Sequence, residues 1–461
     1  MVNVRVLRIE LRRSVAPWAG AVVLTTALAF LYLLSGPWWK GTALWTAQWT
    51  SMALWTRLLL VYLWPLVVAL GALQGLRDHR SKMSELLTST PRPAWHRAAT
   101  LAGTLALTLA SAFALLVLLG AAQVMLGDTA YTHLGWLPIS LVGALALVAG
   151  SVLGMGMGRM LPSPLTPPAL AVTAFVFVNL LRMSLESGTP TSIVPNRIAL
   201  LSPAVSEVRD VFLTLPASVH LGQTLWLLGM AATGFALLAV ATWRARLLAL
   251  TPVLAGAALA LLVVPSDPRR TYVVDEAAAA MVCDGPVCVT KAHQAQLDDL
   301  AGPGRKALAL LHDALGDRAP DAIRESTAVR GLGDTPQRPR DTVLIDFDDR
   351  VIAGAEGQDL TRALLAQGMA PVCFARSANE SGTLGEIAGQ SVAAGWVLGD
   401  LEPLDGSVHS ARDQLDVARP VWKELKALPR SEQRARINAM HTAALSCQGD
   451  PLDILDGGAS R

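Results

Sequence analysis

Charged side chains are scarce in this sequence. They make up only 16% of the 461 residues, and aromatic residues only 5%, whereas 52% are hydrophobic. This balance excludes an ordinary water-soluble chain of the same length. The scarcity is uneven: residues 1–265 hold 17 Lys and Arg against 7 Asp and Glu, and residues 266–461 hold 21 against 29. The sequence therefore predicts a membrane half followed by a soluble half.

Several catalytic and binding motifs are missing. No G-x-x-x-x-G-K-[ST] string occurs, since the segment 302–306 lacks the spacing, so the loop that cradles ATP phosphates is absent. H-E-x-x-H is absent as well, and the segment 389–393 departs from G-x-S-x-G at its last position. No basic patch interleaved with aromatic residues suggests nucleic acid. We therefore predict no enzyme active site, cofactor or metal site in this chain, and no nucleic-acid partner.

Apolar runs near the ~20 residues of a membrane-spanning helix occur about seven times. None contains Asp or Glu, which weighs against a proton- or sodium-coupled carrier. Arg57 and Arg182 lie near the predicted span ends, where we expect them to reach the lipid head groups. The runs are 17–36, 52–74, 98–126, 136–160, 168–183, 221–243 and 247–265.

Basic residues in the short loops predict the orientation. With a cytoplasmic N-terminus, twelve Lys and Arg fall on the cytoplasmic side and three on the opposite side. Seven spans then place residues 266–461 outside the cytoplasm. Because the chain has 32 Arg and only 6 Lys, its composition is typical of a GC-rich bacterial genome. We therefore predict a multi-pass protein of the bacterial plasma membrane with an extracytoplasmic C-terminal domain.

Two cytoplasmic segments have amphipathic patterns. Within residues 1–16, apolar and arginine positions form separate stripes, which predicts a helix in the lipid interface, although a plain topogenic charge cluster would look the same. In the loop 75–97, Met83, Leu86 and Leu87 follow helical spacing until Pro91. Such a short helix could transmit force from a cytoplasmic motor or lie passively on the lipid.

An N-terminal interfacial helix, two spans, and a basic loop with an ELL-x-STP-x-P-like string resemble the permease subunits of type-two ABC exporters. The resemblance covers about residues 1–243, and implies a six-span permease core, here with a seventh span. It implies that the loop docks on the ATPase and that residues 184–220 form a re-entrant outer segment. The implied docking residues are Met83, Ser84, Glu85, Leu86, Leu87 and Thr88.

The resemblance also implies partners. ATP and Mg would be bound by a separate ABC ATPase subunit, because this chain has no phosphate-binding loop. Since two six-span halves form the working unit of the family, a second permease chain is implied, either as a homodimer or as a heterodimer. Membrane lipid is the third expected partner.

All four cysteines lie in the second half, which suits disulfides in an oxidising compartment. Four unrelated buried thiols are the alternative, and the spacing does not favour zinc. Of the three possible pairings we favour a local one across the Asp-Gly-Pro turn and a second that closes a long loop. These pairs are Cys283 with Cys288 and Cys373 with Cys447.

For residues 266–461 we predict a mixed α/β fold in which helices dominate. Strands are expected at 271–274 and 341–347, and helices at 357–370, 382–401, 411–427 and 431–447. Asp346, Asp348 and Asp349 could hold a cation or form paired carboxylates, but a solvated acidic turn has the same pattern. His293, His312, His409 and His441 lack ligand spacing and are expected to be surface or hydrogen-bonded core residues.

Two functions compete. The first is the transmembrane subunit of an ATP-driven ABC transporter, an exporter, powered by a separate ATPase. The second is a membrane-anchored extracytoplasmic enzyme or sensor, in which the spans merely hold the outer domain. We favour the first, because seven spans exceed what an anchor needs and the outer domain carries no catalytic motif.

Overall fold

The structure is a computed structural model of the chain. It describes residues 16–34, 36, 38, 44–77, 94–127, 131–187, 194–206, 211–240, 242–328, 338–347, 349–373 and 382–458.

Long apolar helices form the first half of the molecule. In the described part of the chain, six helices are long and apolar enough to cross a membrane, or seven if one bent pair is counted as a span. The protein is therefore a helical, multi-pass membrane protein, as the apolar runs predict. The helices are α1 Ala16–Leu33, α2 Trp49–Leu58, α3 Leu60–Gly75, α4 Ala94–Leu126, α5 Trp136–Met160, α6 Thr166–Ser187, the short α7 Asn196–Ala199, α8 Ala217–Ala239, α9 Trp243–Leu248 and α10 Thr251–Val263.

The second span is broken. Helices α2 and α3 meet at Leu59 and are bent by 48° relative to each other. The bend begins before Pro65, which lies inside α3 and cannot donate a helical hydrogen bond. Every residue from Trp49 to Arg57 is buried, so α2 is surrounded by other parts of the protein.

One end of the helix bundle carries the C-terminal domain, and we call it the domain end. Gln48, just before α2, donates from Nε2 to the carbonyl oxygen of Ala292 at 2.6 Å. The strand β1 (Leu213–Thr214), just before α8, pairs antiparallel with β2 (Val273–Val274), which follows α10. The starts of α2 and α8 and the end of α10 therefore lie together, and the end of α3 at Gly75 is at the opposite end of the bundle.

Close backbone packing holds α3 against α5. A Cβ atom added to Gly71 would collide with the carbonyl oxygen of Ser151, and one added to Gly154 would collide with that of Val68. Gly158 approaches the carbonyl oxygen of Ala72 in the same way. Small residues that let backbones approach are the usual means of helix association in membranes. Helices α3 and α5 therefore form one unit.

Residues after 265 fold around a small sheet. Strands β3 (Met281–Asp284), β4 (Val287–Thr290), β5 (Ala322–Glu325) and β6 (Thr342–Ile345) are adjacent in that order. Strands β3 and β4 form an antiparallel hairpin, whereas β4, β5 and β6 run parallel. The helices are α11 Leu297–Leu315, α12 Arg350–Ala353, α13 Gly357–Met369, α14 Leu384–Leu398, α15 Ala411–Ala427, α16 Arg430–Ser446 and α17 Pro451–Leu455.

The structure contains both favoured disulfides. Cys283 and Cys288 lie directly opposite each other in the β3–β4 hairpin, so their bond crosses the hairpin. The turn between them uses Gly285 at φ +61°, a left-handed conformation that suits glycine. Cys373 joins Cys447, and the bond ties the chain after α13 to the end of α16 across 74 positions of sequence.

The core of this half consists of the sheet and the helices that cover it. Val289, Ile323 and Val343 contribute strand side chains, and Leu311 and Leu364 contribute from α11 and α13. The helices predicted from the sequence lie within about two residues of α13, α15 and α16. Strands β3, β4 and β5 and helix α11 were not among the predicted elements.

Candidate functional site

The candidate site is built around Arg57, which is completely buried with 0% of its surface exposed. It lies on α2, eight residues after Trp49, which places it about 12 Å from the domain end along the helix axis. The bend into α3 follows directly after Leu58. A buried ionisable residue inside a membrane bundle is a functional-site hypothesis by default, and a broken span is where transporters bind ligands.

Only neutral groups contact the guanidinium of Arg57. Its Nε donates to the carbonyl oxygen of Pro203 at 3.3 Å, and its Nη2 donates to Oε1 of Gln223 at 2.5 Å. Gln223 lies on α8 and donates in turn from Nε2 to the carbonyl oxygens of Leu200 and Ser202. Gln223 thus joins Arg57 to the segment 194–206.

Three polar atoms around this contact are buried without a hydrogen-bond partner. They are Nη1 of Arg57, Oγ of Ser202 and Nδ1 of His220. His220 is within electrostatic range of Arg57, and it lies on α8 one helical turn before Gln223. Tyr272, at the start of the C-terminal domain, is also within electrostatic range of Arg57. The arrangement is cationic and holds several unused donors.

The segment 194–206, which we call the junction segment, links the buried arginine to the C-terminal domain. Asn196 donates from Nδ2 to the carbonyl oxygen of Pro265 at 3.1 Å and to Oγ1 of Thr271 at 3.2 Å. Ser206 shares a 2.6 Å hydrogen bond with the hydroxyl of Tyr272. A shift of this segment therefore changes the surroundings of Arg57 and of the domain together.

A second set of contacts joins the bundle to the domain beside the junction segment. His133 accepts a 3.0 Å hydrogen bond on Nδ1 from the backbone of Gly135 and contacts Oγ1 of Thr50 through Nε2 at 2.9 Å. The ring is therefore neutral with its proton on Nε2, and burial lowers the pKa of His133. Tyr131 lies 3.4 Å from the carboxylate of Asp275.

The prediction that Arg57 reaches the lipid head groups is wrong. The second span begins at Trp49 rather than at residue 52, so Arg57 lies two turns inside the helix rather than at its end. The side chain points into the protein and is held there by Pro203 and Gln223. The apolar run did not indicate that the helix begins one turn earlier, nor that residues distant in sequence cover the arginine.

The six predicted docking residues lie outside the described residues. Met83, Ser84, Glu85, Leu86, Leu87 and Thr88 belong to the stretch 78–93, as does most of the loop 75–97. The same holds for residues 1–15 of the predicted interfacial helix and for parts of the predicted re-entrant segment. The flanking helices are described, and the end of α3 at Gly75 lies at the end of the bundle away from the C-terminal domain.

In the C-terminal domain, polar residues collect where the parallel strands end. Glu325, the last residue of β5, is 2.6 Å from Nδ1 of His293 through Oε1 and accepts from the backbone of Thr290 through Oε2, also at 2.6 Å. His293 and Glu325 are buried, and the ring of Phe347 packs on the imidazole. The carboxyl ends of parallel strands are where α/β proteins bind ligands. His293 is thus a hydrogen-bonded core residue, one of the two expectations from the sequence, but its spacing did not indicate Glu325 as its partner.

The acidic turn after β6 caps a helix. Asp349 accepts from the backbone of Val351 at 3.0 Å and begins α12. Burial, opposed by that hydrogen bond and aided by the charge of Asp346, raises the pKa of Asp349 to about 6. Asp348 lies outside the described residues. No group of three or more potential metal ligands occurs among the residues that the structure describes.

Comparisons of this chain with protein-family models, with curated proteins and with solved structures found no match.

Proposed function

We propose that this protein is the transmembrane subunit of an ATP-driven transporter of the ABC type, an exporter, powered by a separate ATPase subunit. The observation that carries the proposal is the position of α3. This helix connects the loop 75–97, at one end of the bundle, to the bend beside the buried Arg57, near the other end.

The packing of α3 supports a mechanical role. Since the glycine contacts with α5 bring the two backbones together, α3 and α5 move as one unit. A push on the loop at the base of α3 changes the angle at Leu59 more readily than it bends α3 itself. The 48° angle between α2 and α3 then changes, and so do the hydrogen bonds of Arg57 to its neutral partners. The junction segment carries the change to the C-terminal domain.

The partners follow from the proposal. A Walker-type ATPase supplies the energy, because the sequence holds no phosphate-binding loop of its own. A second permease chain completes the working unit, as the same chain or as a related one. In this arrangement the N-terminus and the loop 75–97 face the cytoplasm, and residues 266–461 face the outside of a bacterial plasma membrane.

The decisive test is coupling to a Walker-type ATPase, which the proposal expects to be encoded in a neighbouring reading frame. We expect the two proteins to co-purify, and the Glu85→Ala/Leu86→Ala double variant to lose most of the transporter-dependent ATP turnover. Unchanged turnover in the double variant would refute the assigned docking loop. Glu356→Ala, at an exposed position in the C-terminal domain, is the matched control and should leave turnover unchanged.

A second candidate function rests on the cluster at the carboxyl ends of β4, β5 and β6. His293 and Glu325 form a buried pair there, and Nε2 of His293 has no hydrogen-bond partner. Such a pair suits a ligand-sensing or enzymatic outer domain held by the spans. Co-purification separates the two candidates: a domain that the spans merely hold needs no ATPase, so the second candidate predicts that none co-purifies with the full-length chain.

A further inference from the structure

Arg57 differs from every other buried charged residue that the structure describes. Besides Arg57, three charged side chains of Asp, Glu, Lys or Arg are buried: Glu325, Arg362 and Glu386. Glu325 faces His293, and Arg362 lies 3.0 Å from Asp400 and 2.6 Å from Glu402. Glu386 accepts hydrogen bonds from two backbone amides, those of Cys373 and Thr383. Glu386, like Arg57, contacts only neutral groups, but Arg57 alone among these four has a buried side-chain atom, Nη1, without a hydrogen-bond partner.

Burying a charge without an opposite charge costs free energy, because the protein interior does not replace the hydration that the charge loses. Arginine avoids this cost by pairing, since it does not give up its proton inside proteins. The two neutral acceptors leave Nη1 of Arg57 without a partner. No described residue supplies the anion with acceptor atoms that would complete this site.

Two neighbouring atoms without hydrogen-bond partners could also contact such an anion. Oγ of Ser202 is a hydroxyl that can donate, and Nδ1 of His220 becomes a second donor when the ring takes up a proton. Ser202 adjoins the Pro203 carbonyl that Arg57 contacts, and its own carbonyl accepts from Gln223. Two potential donors thus lie near one buried cation beside the break in the second span.

We propose that Arg57, with Ser202 and His220, binds the oxyanion of a phosphate group. Arg57 supplies the charge and the free Nη1 donor, and Gln223 orients the guanidinium from the opposite side. The phosphate can belong to a lipid head group or to a soluble phosphate. The proposal deepens the proposed function by naming a class of cargo and rests on it for that role, but the binding itself needs no ATPase.

The test uses the full-length protein in nanodiscs of phosphatidylcholine, with the unfolding temperature followed by tryptophan fluorescence. One arm titrates inorganic phosphate at constant ionic strength, and the other replaces part of the lipid with phosphatidylglycerol. We expect one arm to raise the unfolding temperature of the natural protein by on the order of 3 °C once the ligand is about tenfold above its dissociation constant. The arm that responds identifies the source of the phosphate.

Four variants separate the site from general surface effects. Arg57→Gln should abolish the response, and Arg57→Lys, which keeps the charge but lacks Nη1, should reduce it. Arg244→Gln, at an exposed position in α9, is the matched control and should respond like the natural protein. Glu207→Gln/Asp210→Asn removes two carboxylates from the stretch 207–210, which lies outside the described residues, and should also leave the response intact.

A natural protein that responds in neither arm would overturn the proposal, and so would an equal response in Arg57→Gln. A response lost in the Glu207→Gln/Asp210→Asn variant would overturn it too, because the counter-ion would then lie within the chain. If phosphate binds at Arg57 while the ATPase does not couple, the site stands and the transport function fails.

Discussion

The helix bundle and the C-terminal domain differ in the partners of their buried charged side chains. In the domain, Glu325, Arg362 and Glu386 are each buried with a charged partner or with backbone donors. In the bundle, no carboxylate is buried among the described residues, yet Arg57 is completely buried with neutral partners only. The domain gives each of its buried Asp, Glu, Lys and Arg side chains a charged partner or backbone donors, whereas in the bundle Nη1 of Arg57 has no hydrogen-bond partner among the described residues.

The difference is between buried charges that stabilise the fold and one buried charge that we propose binds a ligand. Compensated buried groups such as Glu386, which forms a capping box with Thr383, fix local structure. An uncompensated cation at a helix break destabilises the bundle until another molecule completes it. This contrast is the reason that we propose a ligand site in the bundle rather than in the domain.

The largest effect that we expect concerns how the domain is held together. Replacing both Cys373 and Cys447 with Ala should lower the free energy of unfolding by about 4 kcal/mol, because the disulfide closes a loop of 74 positions. Replacing Cys283 and Cys288 should lower it by about 2 kcal/mol, since that loop is short. Denaturant unfolding of the full chain in detergent measures both. Equal losses would show that loop length does not govern these bonds.

The next prediction concerns whether the charge of Glu325 stabilises the domain through its contact with His293. Glu325→Gln keeps the shape of the side chain but removes the charge that faces His293, and should destabilise the protein by about 2–3 kcal/mol. The same unfolding experiment measures the change. Glu356→Gln, at an exposed position with no capping hydrogen bond, should be neutral. A neutral Glu325→Gln would remove the contrast with Arg57.

A smaller effect tests the packing that makes α3 and α5 one unit. Gly154→Ala places a methyl group against the carbonyl oxygen of Val68 and should cost about 1–3 kcal/mol. Gly103→Ala is the control, since an added Cβ there meets nothing within 4 Å and alanine favours helix. Thermal unfolding in detergent compares the two. If both variants have the natural unfolding temperature, α3 and α5 are not tightly joined.

The smallest effect concerns pH and Asp349. Because its pKa is raised from 3.8 to about 6, the folded state holds the proton more tightly, and this contribution to stability is present below about pH 4 and lost as the pH rises through 6. Asp349→Asn keeps the helix cap and should stabilise the protein by about 1–2 kcal/mol at pH 8 but not at pH 4. Unfolding curves at both pH values measure it, and a difference independent of pH would contradict the assignment.

The sequence predicted some features well and others poorly, for physical reasons. Apolar runs revealed the spans because a bilayer demands about 20 apolar residues. The tight Asp-Gly-Pro turn between Cys283 and Cys288 favoured, among three possible pairings, the one that the structure contains. The environment of Arg57 was mispredicted because its covering residues, Pro203 and Gln223, are distant in sequence. The pair of His293 and Glu325 was missed likewise, since it forms only when β4 and β5 become neighbours.

The central claim is that the loop 75–97 and the C-terminal domain lie on opposite faces of the membrane, joined through α3 and the site at Arg57. The most direct test is labelling of intact cells with a membrane-impermeant thiol reagent, because the natural cysteines are paired in disulfides. We expect Ser431→Cys, exposed in the domain, to be labelled from outside, and Ser84→Cys to react only after the cells are opened. Labelling of both from outside, or of neither, would contradict the account.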